Sequence, residues 1–139
     1  MKILIFGLPG SGKTYLANEL MNLRGTDQAE WYNADAIRQE CGDWDFSDDG
    51  RARQLQRMRI LAQQSVDKGK ISICDFICPT EAARELFAAD YNIFVDTIEE
   101  GRYEDTNKLF ERPQQYDYRI TEKSGDQDAQ IIAQILKAQ

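Results

Sequence analysis

The feature that most constrains this chain is a glycine-rich run that directly follows a short apolar segment near its start. Residues 2–6 (K-I-L-I-F) are followed by G-L-P-G-S-G-K-T at residues 7–14. An apolar run of this length is typical of a parallel strand that is buried on both faces. Apolar residues then recur at helical spacing from Thr14 to Leu23, and Gly25 is a suitable helix stop. The order is therefore strand, glycine-rich loop, helix.

Residues 7–14 match the phosphate-binding loop (P-loop), in which backbone N–H groups at a helix N-terminus surround nucleotide phosphates. Lys13 is predicted to reach the β- and γ-phosphates and to act in catalysis, and the Thr14 hydroxyl is predicted to ligate magnesium. We therefore predict ATP and Mg²⁺ as cofactors. The predicted ATP-binding residues are Gly7, Pro9, Gly10, Ser11, Gly12, Lys13, Thr14 and Tyr15.

The rest of the chain alternates apolar runs with amphipathic segments, which predicts one P-loop kinase domain over residues 1–139. We expect an α/β, three-layer P-loop NTPase fold: a five-stranded parallel sheet in the order 2-3-1-4-5 with helices on both faces. After the first strand, strands are predicted at residues 30–33, 71–75, 91–95 and 116–120. Helices are predicted at residues 34–40 and 48–68, from Pro79, and around residues 131–136. Residues 99–115 are the least regular, and either a mobile lid or a plain surface loop fits them.

Composition excludes several classes of function. The net charge of -7 disfavours binding to long nucleic acid. Histidine is absent from the sequence, so any general base must be a carboxylate. Three cysteines without CxxC spacing indicate free thiols. No apolar run is long enough to span a bilayer. We predict a cytoplasmic protein with no membrane partner.

Three acidic residues follow predicted strands, where parallel sheets bind their ligands. Asp35 is predicted to be catalytic by orienting an acceptor hydroxyl, with helix capping as the alternative. Asp75 is predicted to bind magnesium through water, with a structural hydrogen bond as the alternative. We expect Asp96 to be structural.

A P-loop alone does not identify the phosphoryl acceptor, because GTPases and motor ATPases use the same loop. The chain is short for those classes and carries no Asn-Lys-x-Asp sequence for reading guanine. A kinase acting on a small molecule is therefore favoured.

Beyond the P-loop, four further segments resemble adenylylsulfate kinases (APS kinases). N-A-D-A-I-R at residues 33–38 is similar to the family's Asp-Gly-Asp-x-x-Arg, and F-S-D-D-G-R at residues 46–51 to its Phe-Ser-x-x-x-Arg. F-I-C-P at residues 76–79 resembles Phe-Ile-Ser-Pro, and F-V-D-T at residues 94–97 resembles Phe-Val-Asp-Thr. The segments occur in the family's order and cover roughly residues 1–97.

This resemblance implies phosphorylation of the 3′-hydroxyl of adenosine 5′-phosphosulfate, and it implies a homodimer. Phe76 would stack on the adenine with Phe46 nearby, although core packing is the alternative for Phe76. Arg38 and Arg51 would hold the phosphosulfate group. Gln54 stands where the family usually has a substrate-binding Asn. The substrate-binding residues that the resemblance implies are Asp35, Arg38, Phe46, Arg51, Gln54, Phe76 and Ile77.

The chain departs from the family after Thr97, where APS kinases have a longer lid with a basic stretch. Here residues 99–105 read E-E-G-R-Y-E-D. Two other functions therefore stay open. One is a kinase for another acceptor, such as a polynucleotide 5′-hydroxyl, to which Pro9 and Asp35 with Arg38 also point. The other is a module that binds ATP without transferring phosphate.

Overall fold

The computed structural model describes residues 1–123 and 125–137 of the chain. Its elements are β1 (Lys2–Phe6), α1 (Lys13–Arg24), β2 (Ala29–Asn33), α2 (Ala34–Cys41), α3 (Asp48–Asp67), β3 (Ile71–Asp75), α4 (Glu81–Phe87), β4 (Tyr91–Val95), α5 (Glu104–Leu109), β5 (Tyr118–Ile120) and α6 (Gly125–Lys137). No helix in these ranges is long and apolar enough to cross a membrane.

The five strands form one parallel sheet in the order β2-β3-β1-β4-β5, which confirms the predicted topology. Strand β1 is central and pairs with β3 on one side and β4 on the other. Because all five strands run in the same direction, the loops that leave their carboxyl ends converge at one edge of the sheet. That edge carries the P-loop and the predicted acidic residues.

Successive side chains of β1 alternate between the two faces of the sheet, as strand geometry requires. Ile3 and Ile5 pack in a core that includes residues of α1 and α6. Leu4 and Phe6 pack in a second core with residues of α3 and α4. All four side chains are fully buried. The alternation therefore produces the predicted three layers, with the sheet in the middle.

The buried face of helix α3 contains polar residues that the spacing of its apolar residues did not predict. Met58 and Ala62 are fully buried as expected, but Gln54 and Ser65 share that face. The Gln54 side chain donates to the Ala34 carbonyl at 2.9 Å. The Ser65 hydroxyl donates to the Glu30 carboxylate at 2.7 Å. These bonds compensate for the desolvation of both polar groups, so the two residues can lie in the interior.

Two predicted boundaries were wrong by two residues. Helix α4 begins at Glu81 rather than at Pro79, because Thr80 is its N-cap and accepts the Ala83 N–H at 3.1 Å. Strand β5 begins at Tyr118 rather than at residue 116. The residue before it, Asp117, instead accepts the backbone N–H of Asn92 through its carboxylate at 2.7 Å.

Helix α5 was not predicted, and it lies within the segment that the sequence marked as irregular. It is six residues long, and Thr106 is its buried residue. The Asn107 side chain, within the helix, exchanges two hydrogen bonds with the backbone of Gly101 before it, at 2.7 and 3.0 Å. These bonds order a segment that has no apolar period, so the pattern could not reveal it.

Candidate active site

The loops at the carboxyl edge of the sheet enclose a cleft of about 1030 Å³. The P-loop, the start of α2, the loop before α3, the turn after β3 and the segment around α5 all contribute to its walls. Of the predicted site residues, Gly7 and Ser11 do not line it. Those that do are Pro9, Gly10, Gly12, Lys13, Thr14, Tyr15, Asp35, Arg38, Phe46, Arg51, Gln54, Asp75, Phe76 and Ile77.

The P-loop has the backbone conformation that its glycines were predicted to permit. Gly10 and Gly12 have φ angles of 82° and 111°, in the left-handed region that side chains disfavour. At Gly7 a Cβ atom would lie 2.5 Å from the Val95 carbonyl oxygen, so the loop passes the end of β4 too closely for any other residue. The Thr97 hydroxyl donates to the Ser11 carbonyl at 2.6 Å and fastens the loop to that strand.

Lys13, the first residue of α1, is buried, and its ammonium donates to the Leu8 carbonyl at 2.9 Å. Burial lowers the pKa of Lys13 to about 8, although the carboxylates of Asp75 and Asp35 oppose that shift. A lysine ammonium has three donors, and one carbonyl does not occupy them all. Lys13 is therefore held in place with donors to spare at the wall of the cleft.

Asp75 lies at the end of β3 with only 2% of its surface exposed. The Trp31 indole N–H donates to one carboxylate oxygen at 2.6 Å, and the Asn33 amide lies 3.2 Å from both oxygens. The Thr14 hydroxyl donates to the same carboxylate at 3.4 Å. Burial raises the pKa of Asp75, while the Trp31 and Asn33 bonds oppose the increase. The two residues predicted to bind magnesium thus lie side by side.

Asp35 is exposed in the first turn of α2 and lines the cleft. The capping alternative for Asp35 is wrong, because Asn33 is the N-cap and its side-chain oxygen accepts the Ala36 N–H at 2.9 Å. The Asp35 carboxylate is close enough to Lys13 and Asp75 to act on the pKa of each. A carboxylate that does not cap its helix therefore faces the same cleft as the P-loop lysine.

Two arginines flank the half-exposed ring of Phe46. The Arg38 guanidinium carbon lies 4.3 Å from the ring centroid and that of Arg51 lies 5.6 Å from it, within cation–π range. Burial lowers the pKa of Arg38, and the charge of Arg51 acts in the same direction. Three of the seven residues that the sequence assigned to the acceptor, two of them arginines, are thus brought together in one corner of the cleft.

Gln54 and Phe76 are more involved in packing than the sequence suggested. Gln54 donates to the Ala34 carbonyl and accepts from Arg57 at 2.9 Å, so both ends of its amide have protein partners. Phe76 is 8% exposed and meets the edge of Phe87 at 5.4 Å. Phe76 therefore packs in the core and also lines the cleft beside Ile77.

Asp96 has the structural surroundings that the sequence predicted. Its carboxylate accepts two hydrogen bonds from Arg112, at 3.1 and 2.7 Å, and two from Arg119, at 3.0 and 2.7 Å. The Arg112 bonds are the main cause of the lowered pKa of Asp96, with the Arg119 bonds contributing. This carboxylate fastens the segment after α5 to the end of β4.

Trp44 and Arg102 are among the residues of the cleft wall that the sequence did not single out. Arg102 is the one basic residue of the stretch 99–105. This isolated positive charge is the sequence signal that could have identified it. Its charge helps to lower the pKa of Lys13. The preceding residue, Gly101, lies against the P-loop, where a Cβ would be 3.0 Å from the Pro9 ring. The short segment after β4 therefore reaches the phosphate end of the cleft.

The fold and the glycine-rich loop define a P-loop nucleotide-binding protein. The family model described as Adenylylsulphate kinase matches residues 1–121. A probable adenylyl-sulfate kinase of Aeropyrum pernix is 33% identical over 93 residues, which are 60% of this chain and 48% of that protein. The adenylyl-sulfate kinase of Aeromonas salmonicida is 36% identical over 83 residues, 58% of this chain and 42% of that protein. The chain thus spans about half the length of these curated relatives.

A solved structure of the APS kinase CysC of Mycobacterium tuberculosis, in complex with AMPPNP and APS, has the same fold. Its TM-score is 0.81 at 23% identity, and the match covers 98% of this chain and 96% of that one. Together with the family model, which covers most of the chain, these findings identify the family. This chain belongs to the adenylylsulfate kinase family, and the resemblance drawn from its motifs is confirmed.

Proposed function

We propose that the chain transfers the γ-phosphoryl group of ATP to the 3′-hydroxyl of adenosine 5′-phosphosulfate. The observation that carries the proposal is that Lys13 and Asp35 line one cleft, close enough that the Asp35 carboxylate raises the pKa of Lys13. A phosphoryl transfer needs positive groups around the migrating phosphate and a base at the attacking hydroxyl. Family membership supplies the acceptor.

At the donor end, the backbone N–H groups of residues 7–14, except for Pro9, bind the β- and γ-phosphates. Lys13 directs its remaining donors to the same oxygens and stabilises the charge that develops during transfer. The partner that it holds now is a neutral carbonyl, so a phosphate oxygen competes with it favourably. The positive charge that ATP binding needs at this end of the cleft is therefore already in place.

Magnesium fits the Thr14 and Asp75 pair, which offers the oxygen ligands that this ion prefers. Among the described residues, no group of three or more acidic or cysteine side chains is placed to hold a metal. Magnesium commonly takes one or two protein oxygens and completes its shell with phosphates and water. When bound, it neutralises charge on the β- and γ-phosphates. Trp31 and Asn33 keep the Asp75 carboxylate in position for that role.

At the acceptor end, Asp35 accepts a hydrogen bond from the 3′-hydroxyl and takes its proton during transfer. Arg38 and Arg51 bind the phosphosulfate group. Arg38 donates from one nitrogen to the carbonyls of Asp43 and Asp45, which leaves its other nitrogens for the ligand. The adenine contacts come from Phe46 and Phe76, assisted by Ile77 and Gln54. Phe46 is half exposed and Phe76 nearly buried, so we assign the larger stacking area to Phe46.

The test is a coupled assay of ADP release with ATP, Mg²⁺ and adenosine 5′-phosphosulfate. We expect saturable turnover above the ATP-only blank, and none with an analogue that lacks the 3′-hydroxyl. Turnover at the level of the blank, with ATP bound in calorimetry, would instead support an ATP-binding module. Labelled phosphate on an oligonucleotide, without transfer to adenosine 5′-phosphosulfate, would redirect the assignment to another acceptor. The homodimer and the cytoplasmic location stay predictions.

A further inference from the structure

Trp44 lies on the wall of the cleft, and no role assigned above involves its ring. Its side chain is 53% exposed. The ring centroid lies 6.4 Å from that of Phe46, with the two planes at 43°. Trp44 thus extends the aromatic surface of the acceptor corner toward the solvent.

The loop that carries Trp44 is fixed on both sides of it. Arg38 donates to the backbone carbonyls of Asp43 and Asp45 at 3.0 and 3.1 Å. From α3, Arg53 pairs with both carboxylates, at 3.1 and 2.9 Å, and Arg57 pairs with that of Asp43. The two residues adjacent to Trp44 are therefore each held by two or more cationic groups. The backbone on both sides of this exposed tryptophan is thus held by hydrogen bonds and ion pairs.

Gly50 allows this loop to pack against the first turn of α3. A Cβ at Gly50 would lie inside contact distance of the Asp45 carbonyl group, so the approach requires a glycine. The Ser47 hydroxyl accepts the Gly50 N–H at 3.3 Å, and Arg51 donates to the Phe46 carbonyl at 2.9 Å. The positions of Trp44 and Phe46 are thus built into the start of α3.

Exposed apolar side chains are common on protein surfaces and usually carry no function. Leu23 and Ile60 are examples in this chain, since both are about half exposed and neither lines the cleft. Five others line the cleft, with exposures from 47% to 58%. They are Tyr15, Trp44, Phe46, Leu86 and Tyr103. Exposed apolar side chains gathered on the wall of one cleft are the pattern of a ligand-binding mouth.

We propose that Trp44 is a further acceptor-binding residue, which with Phe46 forms a fixed aromatic edge that contacts the purine base of the acceptor. The identity of that base rests on the proposed function. The stacking itself needs only a planar heteroaromatic ring, since every base offers a π face. Because Arg38 anchors the Trp44 loop and also flanks Phe46, the ring pair and the cationic corner act as one unit.

The kinetic test compares Trp44→Ala and Trp44→Phe with Ile60→Ala, which also truncates a half-exposed apolar side chain but lies outside the cleft. With Trp44→Ala we expect the KM for adenosine 5′-phosphosulfate to rise about 10-fold while the KM for ATP stays within twofold. Trp44→Phe keeps a smaller ring and should recover part of the loss. Ile60→Ala should match the parent protein. An acceptor KM within twofold of the parent in Trp44→Ala would overturn the proposal.

A binding measurement separates this proposal from the proposed function. The sequence has two tryptophans, Trp31 and Trp44, so intrinsic emission reports on few sites. With a non-hydrolysable ATP analogue and Mg²⁺ saturating the donor end, adenosine 5′-monophosphate should quench the emission. Ribose 5-phosphate, which lacks the base, should not. Trp44→Phe should lose the quench.

The outcomes are distinct. A Trp44-dependent quench without any transfer to adenosine 5′-phosphosulfate would remove the proposed function and keep Trp44 as a base contact. Transfer with an unchanged acceptor KM in Trp44→Ala would keep the function and remove the Trp44 proposal. An equal quench in Trp44→Phe and in the parent would also remove it.

Discussion

The two ends of the cleft are built by opposite means. At the donor end, eight consecutive residues, 7–14, form the binding surface largely from their own backbone, and Lys13 bonds a carbonyl only five residues away. At the acceptor end, the parts come from separate segments, joined by contacts such as Arg51 with Thr106 and Gln54 with Ala34. Phosphate binding is thus encoded locally, and acceptor binding depends on tertiary packing. Substitutions at the two ends should therefore have separable effects.

The largest effect is expected at the donor end, from Lys13→Ala. The variant removes the ammonium that stabilises the migrating phosphoryl group, so kcat/KM should fall about 10³-fold in the coupled assay. Lys68→Ala, at the exposed end of α3, is the matched control and should retain activity. A loss of less than tenfold in Lys13→Ala would show that the local donor end does not dominate the reaction.

At the acceptor end, Asp35→Asn keeps the shape of the side chain and removes the base. We expect kcat to fall about 10²-fold while the KM for ATP stays within twofold, because no group that binds the phosphates is removed. Asp67→Asn, at the exposed end of α3, serves as the control. A parallel rise in the KM for ATP would contradict the separation of the two ends.

Asp75→Asn tests the magnesium pair. The amide has only one oxygen, so it cannot accept the hydrogen bonds of both Trp31 and Asn33 as the carboxylate does. The side chain at position 75 is then held less firmly beside Thr14. The Mg²⁺ concentration for half-maximal activity should rise about tenfold, as is usual when a metal site loses an oriented carboxylate. Asp96→Asn, a carboxylate outside the cleft lining, should leave that concentration unchanged. Equal Mg²⁺ titrations for the parent and Asp75→Asn would exclude the role.

The smallest effect is expected from Asp96→Asn, which should alter stability and neither KM. Hydrogen bonds from Arg112 and Arg119 lower the pKa of Asp96 in the folded protein, so it stabilises the fold above its unfolded pKa, about 3.9. The arginines are largely exposed and screened by water, so the loss at pH 7 should be roughly 1 kcal/mol. Urea unfolding should show a smaller difference between variant and parent at pH 3. A difference that grows toward low pH would reverse the assigned sign.

Most of the fold could be predicted because its elements follow their periods. The strand at residues 71–75 and that at 91–95 were predicted with their observed bounds, since both are short apolar runs. Helix α5 could not be predicted, because its order comes from the Gly101 and Asn107 pair and not from an apolar stripe. The order of this segment comes from two specific side-chain hydrogen bonds, which leave no periodic pattern in the sequence.

The site residues likewise fall into those that the sequence could predict and those that it could not. The P-loop follows from its motif, and Asp35 and Asp75 were found because each follows a strand. Trp44 was missed, since its loop has no period and its position depends on arginines elsewhere in the chain. The polar interior at Gln54 was missed for the same reason, because its burial depends on a carbonyl in α2.

Asn33 links the two ends of the cleft with a single amide, and this restricts how the sequence can evolve. Its oxygen accepts the Ala36 N–H, while its nitrogen donates to Thr14 and Asp75. An aspartate here would place two carboxylates against each other, unless position 75 became an amide in the same lineage. We expect positions 33 and 75 to covary across relatives, so that an acid at one accompanies an uncharged residue at the other. The reciprocal exchange Asn33→Asp with Asp75→Asn should then be tolerated better than either change alone.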